Sequence, residues 1–410
     1  MDRSWQIQAK PLIHPAKALI RGSLLKGGCP FLKLCARDEN RRKYKVEGSD
    51  ILSSNDSAAA KDLLPDRMKL LFIKLKHIGD TLLLTPTLAA ARAAHPSAEI
   101  WVVIRRGSEG ILAGCPAINR LLVSAPPEKS KRAAFDWLND LRLLGELRRR
   151  RFDYAFELTG GDRGRLLAGW SGARFRCAND FLYRVPFFWR PWFNRISVHD
   201  WTREHQVEAN FRFVNEFLPL GTAEPPPLVF DRTAVEACEL QNKLGKYIVV
   251  HPGTRWRRKR WPLEKWIECG RRLFRLAPQL IISVGPDAEE VQLGDALAAA
   301  LGPQAITTRG RLSWAQLAGL LYQAKLFVGV DTAAMHLAAA CQCPVVALFG
   351  SSNGRNWHPW KVRHQLVGGR DGVQTADVDA VARTEVDPVV AACEAIINDD
   401  SKMAPTAALI

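Results

Sequence analysis

The stretch 327–340 reads FVGVDTAAMHLAAA and holds a set of side chains suited to an anion. An apolar run, Leu326 to Val330, ends in Asp331-Thr332, and a small-residue helix carrying His336 follows. Strand, tight turn and helix in that order leave unbonded backbone N–H groups and a positive dipole end facing whatever sits at the turn. Asp331 and Thr332 stand where a bound phosphate and its neighbour would lie. His336 is four residues past Thr332, so both project from one side of the first turns. A plainer reading makes Asp331 an N-cap that accepts from Ala333 or Ala334, and His336 a satisfied, partly buried histidine.

Other turns share this character. KHIGD, with Gly79 and Asp80, follows the apolar run MKLLFIKL, and its plainer reading is that Asp80 caps a helix starting at Thr81. HPGT, with Gly253 and Thr254, follows YIVV and leads into the cations Arg257, Arg258, Lys259 and Arg260. GPDAEE follows QLIISV and supplies Asp287, Glu289 and Glu290, which are also natural helix-start carboxylates. The charge run is read as solvated for at least two of its four members.

The elements that must carry these turns alternate. MKLLFIKL, EIWVVIR, RLLVSA, FDYAFELT and ARFRCA read as strands, with helices over TLLLTPTLAAARAAHP, GSEGILAGC, FDWLNDLRLLGELRRRR and RGRLLAGWSG between them. An irregular aromatic and basic segment, FLYRVPFFWRPWFNR, follows, and a helix over residues 206–218 closes this half. The pattern restarts at YIVVHPGT and runs through QLIISVGP, AITTRG, KLFVGVD and PVVALFG, each joined to the next by a helix. The fold class expected is α/β, with two doubly wound parallel sheets in tandem. Ligands of such sheets bind outside the carboxyl ends of the strands, and the four motif turns all fall there. The expected division is an extension over 1–66, halves over 67–230 and 231–385, and a helix and tail over 386–410. The extension mixes spaced Lys and Arg with Leu and Ile but is broken by Pro and Gly-Gly, so it reads as a disordered arm or a basic surface anchor.

The chain has 410 residues, 47% of them hydrophobic, and a formal charge of +16. That charge calls for anionic partners: nucleic acid, an acidic membrane surface or phosphorylated substrates. Nine scattered cysteines without a CxxC pair fit reduced thiols in a cytosolic protein. No run approaches the ~20 apolar residues of a spanning helix, and no signal peptide is read.

KLLFIKLKHIGDTLLLTPTLAAAR, HPGT followed by RRKRWPLEKW, and GVDTAAMHLAAACQCPVVALFG together resemble glycosyltransferase family 9, the lipopolysaccharide heptosyltransferases, over roughly Met68 to Val367. The overall pattern is most similar to the heptosyltransferase III subgroup. The resemblance implies the GT-B fold, with an acceptor-binding first half and a donor-binding second half around a cleft. It implies inverting transfer of heptose from ADP-heptose to the phosphorylated inner core of a lipid A-linked oligosaccharide, with no essential metal or cofactor. By the same resemblance Asp80 is the general base and Gly79 lets the backbone approach the ligands. Lys259 offsets charge on the departing ADP, and Gly253 and Thr254 contact phosphate. Glu289 binds ribose, with Asp287 and Glu290 as rivals. Asp331 holds donor-sugar hydroxyls, Thr332 and the Ala333 N–H face the phosphates, and His336 completes the donor set. The family often has glycine at the position of Ala333. His205, in REHQVEAN, resembles a histidine that the family keeps at that helix start and is assigned to the acceptor.

Lys129, Lys131, Arg132, Arg163 and Arg165 fall in loops that a phosphorylated acceptor would suit. Trp189 and Trp192, in the aromatic segment, suit a lipid interface, which predicts peripheral attachment to the inner face of the bacterial inner membrane. The plainer reading packs those rings on the domain. Asp377-Val378-Asp379 lies past the last strand and reads as a polar loop, not a metal motif. Dinucleotide GxGxxG and P-loop signatures are absent, which argues against a dehydrogenase or an NTPase. The alternatives are a transferase or epimerase on the same fold with another nucleotide sugar, and a non-catalytic binding protein. No nucleic-acid module is recognisable to support the latter.

Overall fold

In the computed structural model of the protein the described residues are 67–125, 136–181, 184–238, 240, 244–350, 352–368 and 379–398. The expected extension over 1–66, the basic residues Lys129, Lys131 and Arg132, and the tail beyond 398 lie outside them.

Among the described residues twelve strands form two six-stranded sheets, and every pairing is parallel. The first sheet contains β1 (Lys69–Lys74), β2 (Glu99–Arg105), β3 (Arg120–Ser124), β4 (Tyr154–Glu157), β5 (Phe175–Asn179) and β6 (Arg195–Ser197), in the order β3-β2-β1-β4-β5-β6. The second contains β7 (Tyr247–His251), β8 (Gln279–Ile282), β9 (Ala305–Thr307), β10 (Leu326–Val330), β11 (Val345–Leu348) and β12 (His364–Val367), in the order β12-β11-β10-β7-β8-β9. The central strands are apolar throughout because helices cover both faces: Leu70, Leu71, Phe72 and Ile73 are all fully buried, as are Leu326, Phe327 and Val328. Two edge strands escape the sequence pattern. β6 grows out of the end of the aromatic segment, and β12 has two exposed residues among its four. Short, half-exposed edges carry little periodic signal.

The helix expected from Thr81 onward is instead two helices, Ile78–Leu82 and Thr85–Ala94. Pro86 has no N–H to give to the Leu82 carbonyl, and Thr85 Oγ1 donates to it instead at 2.8 Å. The segment GSEGILAGC forms only a single 3₁₀ turn, Gly110–Leu112.

One apolar cluster covers the outer face of each sheet, and a third runs between the halves. The shared cluster contains Leu82, Leu83 and Leu88 from the first half, Phe230 from the connection, and Met335, Leu337 and Ala338 from the second. Helix Ile78–Leu82 packs on helix Ala333–Ala340 across this seam. Gly79 sits at the contact, where an added Cβ would lie 3.1 Å from His336 Cδ2. Helix Val386–Asn398 packs on the second sheet and on helix Leu263–Leu273.

Candidate active site

In both sheets the strand order reverses at one place, between β1 and β4 in the first and between β7 and β10 in the second. The carboxyl ends of strands flanking such a reversal form a crevice. KHIGD leaves β1, HPGT leaves β7, and Asp331-Thr332 leaves β10. The topology therefore brings together residues more than 250 positions apart, such as Asp80 and Asp331.

Asp80 lies inside the first turn of helix Ile78–Leu82, not ahead of it as the plainer reading expected. The helix starts earlier because His77 is its N-cap, and Asp80 reaches back to accept from His77 N at 3.3 Å. Beneath this turn lies Lys74, the last residue of β1 and only 2% exposed. Its Nζ donates to Asn210 Oδ1 at 3.0 Å, and burial lowers its pKa to about 8 against the opposing pull of Asp80. Sequence reasoning passed over Lys74, although one lysine near the end of an apolar buried strand was a legible signal.

Opposite stands the second half's cationic turn. Lys259 Nζ meets Asp331 Oδ2 at 2.5 Å, with the two side chains 16% and 9% exposed. The same ammonium lies 3.3 Å from the Asp331 carbonyl oxygen. Asp331 is thus not the N-cap of helix Ala333–Ala340. Thr332 holds that position with no side-chain cap bond, and Ala333 is the first helical residue. Thr332 Oγ1 and His336 Nδ1 are both buried without a hydrogen-bond partner. Burial drives the His336 pKa down to about 4, so the ring is neutral at physiological pH. Two unpartnered polar atoms beside free helix N–H groups are costly in a folded chain unless something else satisfies them.

The three carboxylates of GPDAEE separate by task. Asp287 is the N-cap of helix Ala288–Leu301 and accepts from Glu289 N at 3.0 Å. Glu290 Oε2 accepts from Gly285 N at 2.9 Å, and burial raises its pKa. A Cβ on Gly253 would lie 2.3 Å from that same oxygen, so Gly253 makes room for Glu290. Glu289 faces outward, held by Arg260 at 2.7 Å, on the rim of a cavity of about 350 Å³ that Thr254, Pro262, Leu263 and Leu293 also line. Trp261 lines this cavity too, anchored by its Nε1 to Thr384 O at 2.8 Å. Of the four cations, Lys259 and Arg260 are committed to Asp331 and Glu289. Arg257 is solvated, 3.9 Å from Glu289, and Arg258 stacks on Trp256.

Several expected acceptor residues behave differently. His205 is 2% exposed and caps helix Gln206–Asn215, its Nδ1 accepting from Val207 N at 3.2 Å. Its Nε2 lies 2.9 Å from His358 O in the second half, and its ring stacks on Trp360. Both nitrogens are used, so His205 joins the halves and has no atom left for an acceptor. Arg163 and Arg165 lie on helix Asp162–Trp170, not in a loop. Arg163 bonds Ser124 Oγ at 2.7 Å and Asp140 Oδ1 at 2.5 Å, and Arg165 is buried against Asp162 and the Arg184 carbonyl. Trp192 packs over Gly169, and Trp189 Nε1 donates to Asp162 Oδ1 at 2.9 Å. Among the described residues the segment's most exposed rings are instead Phe187 and Phe188, 85% and 54% accessible.

Comparison with known proteins adds an independent line. Residues 141–385 match the family model for glycosyltransferase family 9 (heptosyltransferase). The chain is 28% identical over 291 residues to lipopolysaccharide heptosyltransferase 3 of Escherichia coli, covering 69% of this chain and 83% of that protein. It is 28% identical over 306 residues to lipopolysaccharide heptosyltransferase 1 of Pseudomonas aeruginosa, covering 70% and 79%. Among solved structures, a family 9 glycosyltransferase from Veillonella parvula superposes with a TM-score of 0.67 at 19% identity, covering 81% of this chain and 97% of that one. The ADP-heptose lipopolysaccharide heptosyltransferase II of E. coli gives 0.65 at 21% identity, covering 82% and 100%. The fold is therefore GT-B, as these structures have it.

Proposed function

The chain belongs to glycosyltransferase family 9, the heptosyltransferases, and from that premise we propose that it moves heptose from ADP-heptose onto the phosphorylated inner core of lipopolysaccharide, with inversion and with Asp80 as general base. The observation that carries this reading is the pairing of two crevices. Asp80 stands at one, and the Lys259–Asp331 pair with the unpartnered Thr332 and His336 atoms stands at the other.

The division of labour follows from the chemistry. Asp80 takes the proton of the acceptor hydroxyl as that oxygen bonds to the anomeric carbon. The bond from that carbon to the β-phosphate oxygen breaks on the opposite side, and ADP leaves with the electron pair. Thr332, the Ala333 N–H and His336 receive the diphosphate at the helix N-terminus. Lys259 turns from Asp331 toward the departing phosphate and offsets its growing charge, while Asp331, so released, accepts from donor-sugar hydroxyls. The cavity beside Glu289 takes the nucleoside, with Glu289 on the ribose and Thr254 on its phosphate side. With Lys259 and the helix N-terminus on the diphosphate, no metal is required.

Lys129, Lys131 and Arg132 remain assigned to the phosphorylated acceptor, and the protein works at the cytoplasmic face of the inner membrane as a peripheral protein. Phe187 and Phe188, flanked by Arg184 and Arg190, replace the two tryptophans as the lipid-facing rings.

The test is transfer itself. Purified protein with ADP-heptose and a heptose-deficient core acceptor gives a product heavier by one heptose, with or without EDTA. Product from UDP-sugars but not from ADP-heptose overturns the donor. Activity lost to EDTA and restored by magnesium or manganese overturns the metal-free step.

A further inference from the structure

Between Thr254 and Lys259 the chain exposes four consecutive residues, Arg255, Trp256, Arg257 and Arg258. Three are cations, and the fourth is an indole that is 42% exposed. Among the described residues neither Arg255 nor Arg258 has a carboxylate partner. Both instead stack on Trp256, with guanidinium carbons 5.1 Å and 5.0 Å from the ring centroid. A guanidinium held by an aromatic face keeps its in-plane N–H donors for another group.

This cluster also crosses the cleft. Arg255 donates to His77 Nδ1 at 3.1 Å, and the His77 ring lies edge-on to Trp256 with centroids 6.3 Å apart. His77 is the N-cap of the turn that holds Asp80, three residues on. Positive charge converges there from both halves: Arg255, Arg105 and Lys76 all act on the His77 ring, and Asp80 is the acidic group that opposes them. The donor's diphosphate has its own cation in Lys259, on the inner side of the same turn. An unneutralised pair of guanidiniums at the mouth, one helical turn from the base, is therefore additional to what the donor needs.

We propose that Arg255, Trp256 and Arg258 form an acceptor subsite that binds a phosphate ester on the acceptor saccharide, so that the second half helps hold the acceptor as well as the donor. The phosphate lies against the two guanidiniums, each able to give paired donors to its oxygens. Trp256 offers the exposed part of its ring to the adjoining sugar. Because Arg255 is tied to His77, the phosphate fixes its sugar relative to Asp80, and acceptors phosphorylated at the matching position are preferred. This assignment rests on the reading of the protein as a transferase to phosphorylated core.

The experiment uses the full chain saturated with ADP. Deacylated core oligosaccharide is titrated calorimetrically before and after enzymatic removal of its phosphates, against wild type, Arg255→Gln/Arg258→Gln and Trp256→Ala. Wild type is expected to favour the phosphorylated form by ~10-fold or more, the scale of charge-assisted bonds. The double variant is expected to bind both forms within about twofold of each other. Trp256→Ala weakens both forms. ADP affinity and melting temperature hold in all three. No preference in wild type, or a preference that survives in the double variant, overturns the subsite. A loss in the double variant that is equal for both forms shows a general electrostatic field and overturns it as well. Transfer from ADP-heptose is measured on the same preparations, so failure of the transferase reading shows there and not in the phosphate preference.

Discussion

Replacing Asp80 by Asn separates the two tasks its position allows. In the structure Asp80 accepts from His77 N at 3.3 Å, a long contact at an exposed turn. Asn keeps an oxygen that can make the same bond, so the hydrogen-bond part of the change is near zero. What is lost is a negative charge in the first turn of a helix only five residues long, worth roughly 0.3–1 kcal/mol. The change also removes a favourable partner of the buried Lys74 ammonium, which pulls in the same destabilising direction. The folded protein is therefore expected to lose about 1 kcal/mol, which lowers the melting temperature by a few degrees. Turnover is expected to fall by ~100-fold or more, the usual share of a positioned base. ADP affinity is expected to hold, because Lys259, Thr332 and the Glu289 cavity belong to the second half. Thermal melting, ADP titration and transfer rate are measured on one preparation. A folded Asp80→Asn protein with near-normal turnover would refute the general-base assignment. Loss of turnover accompanied by loss of ADP binding would refute the separation of tasks between the halves.

Lys259→Ala strands the Asp331 carboxylate in a largely buried site. The expected cost is about 2–3 kcal/mol, below the range for a fully buried pair because Lys259 keeps some solvent contact. Adding Asp331→Asn should recover part of that stability in denaturant melts while activity stays low; no recovery would show that the pair does not carry the loss. Burial holds the pKa of His251 and His336 down to about 4 and that of His205 to about 2, so the unfolded chain takes up their protons first as pH falls. Their contribution is complete above about pH 6.5 and declines below it, by up to ~1.4 kcal/mol per pH unit for each ring until the folded value is reached. Urea midpoints that stay level between pH 7 and pH 5 would contradict this. Phe187→Ser/Phe188→Ser should weaken sedimentation with anionic vesicles by about tenfold or more, given ~1.5–3 kcal/mol for a fully buried phenylalanine side chain, with melting unchanged. Trp192→Ala should lower the melting temperature, because that ring fills the space over Gly169.

The alternation of apolar strands and amphipathic helices is written into local sequence, because a strand covered on both faces must be apolar throughout and a helix must show one face. The motif turns were legible for a related reason. A turn at the end of a buried strand must be small or polar, and KHIGD, HPGT and DT stand out against the apolar runs before them. Family resemblance then gave those turns roles that spacing alone left open between capping and chemistry.

Side-chain commitment was not legible, since it depends on what another part of the chain brings alongside. Glu289 and Glu290 are neighbours in sequence and both border the cavity, yet one is half-exposed and paired with Arg260 while the other is locked to Gly285 beside Gly253. Lys259 and Arg260 differ in the same way, because successive residues of an irregular turn point in different directions. His205 is assigned to the acceptor by family resemblance, and only the approach of His358 and Trp360 from the second half shows that both its nitrogens are used. In the Arg255–Trp256–Arg258 cluster only Arg258 belongs to the charge run 257–260 read from the sequence, and Arg255 and Trp256 stand outside it. The cluster gains meaning when the two sheets face one another and set it against His77, a juxtaposition 178 residues apart that only packing of the two halves could decide.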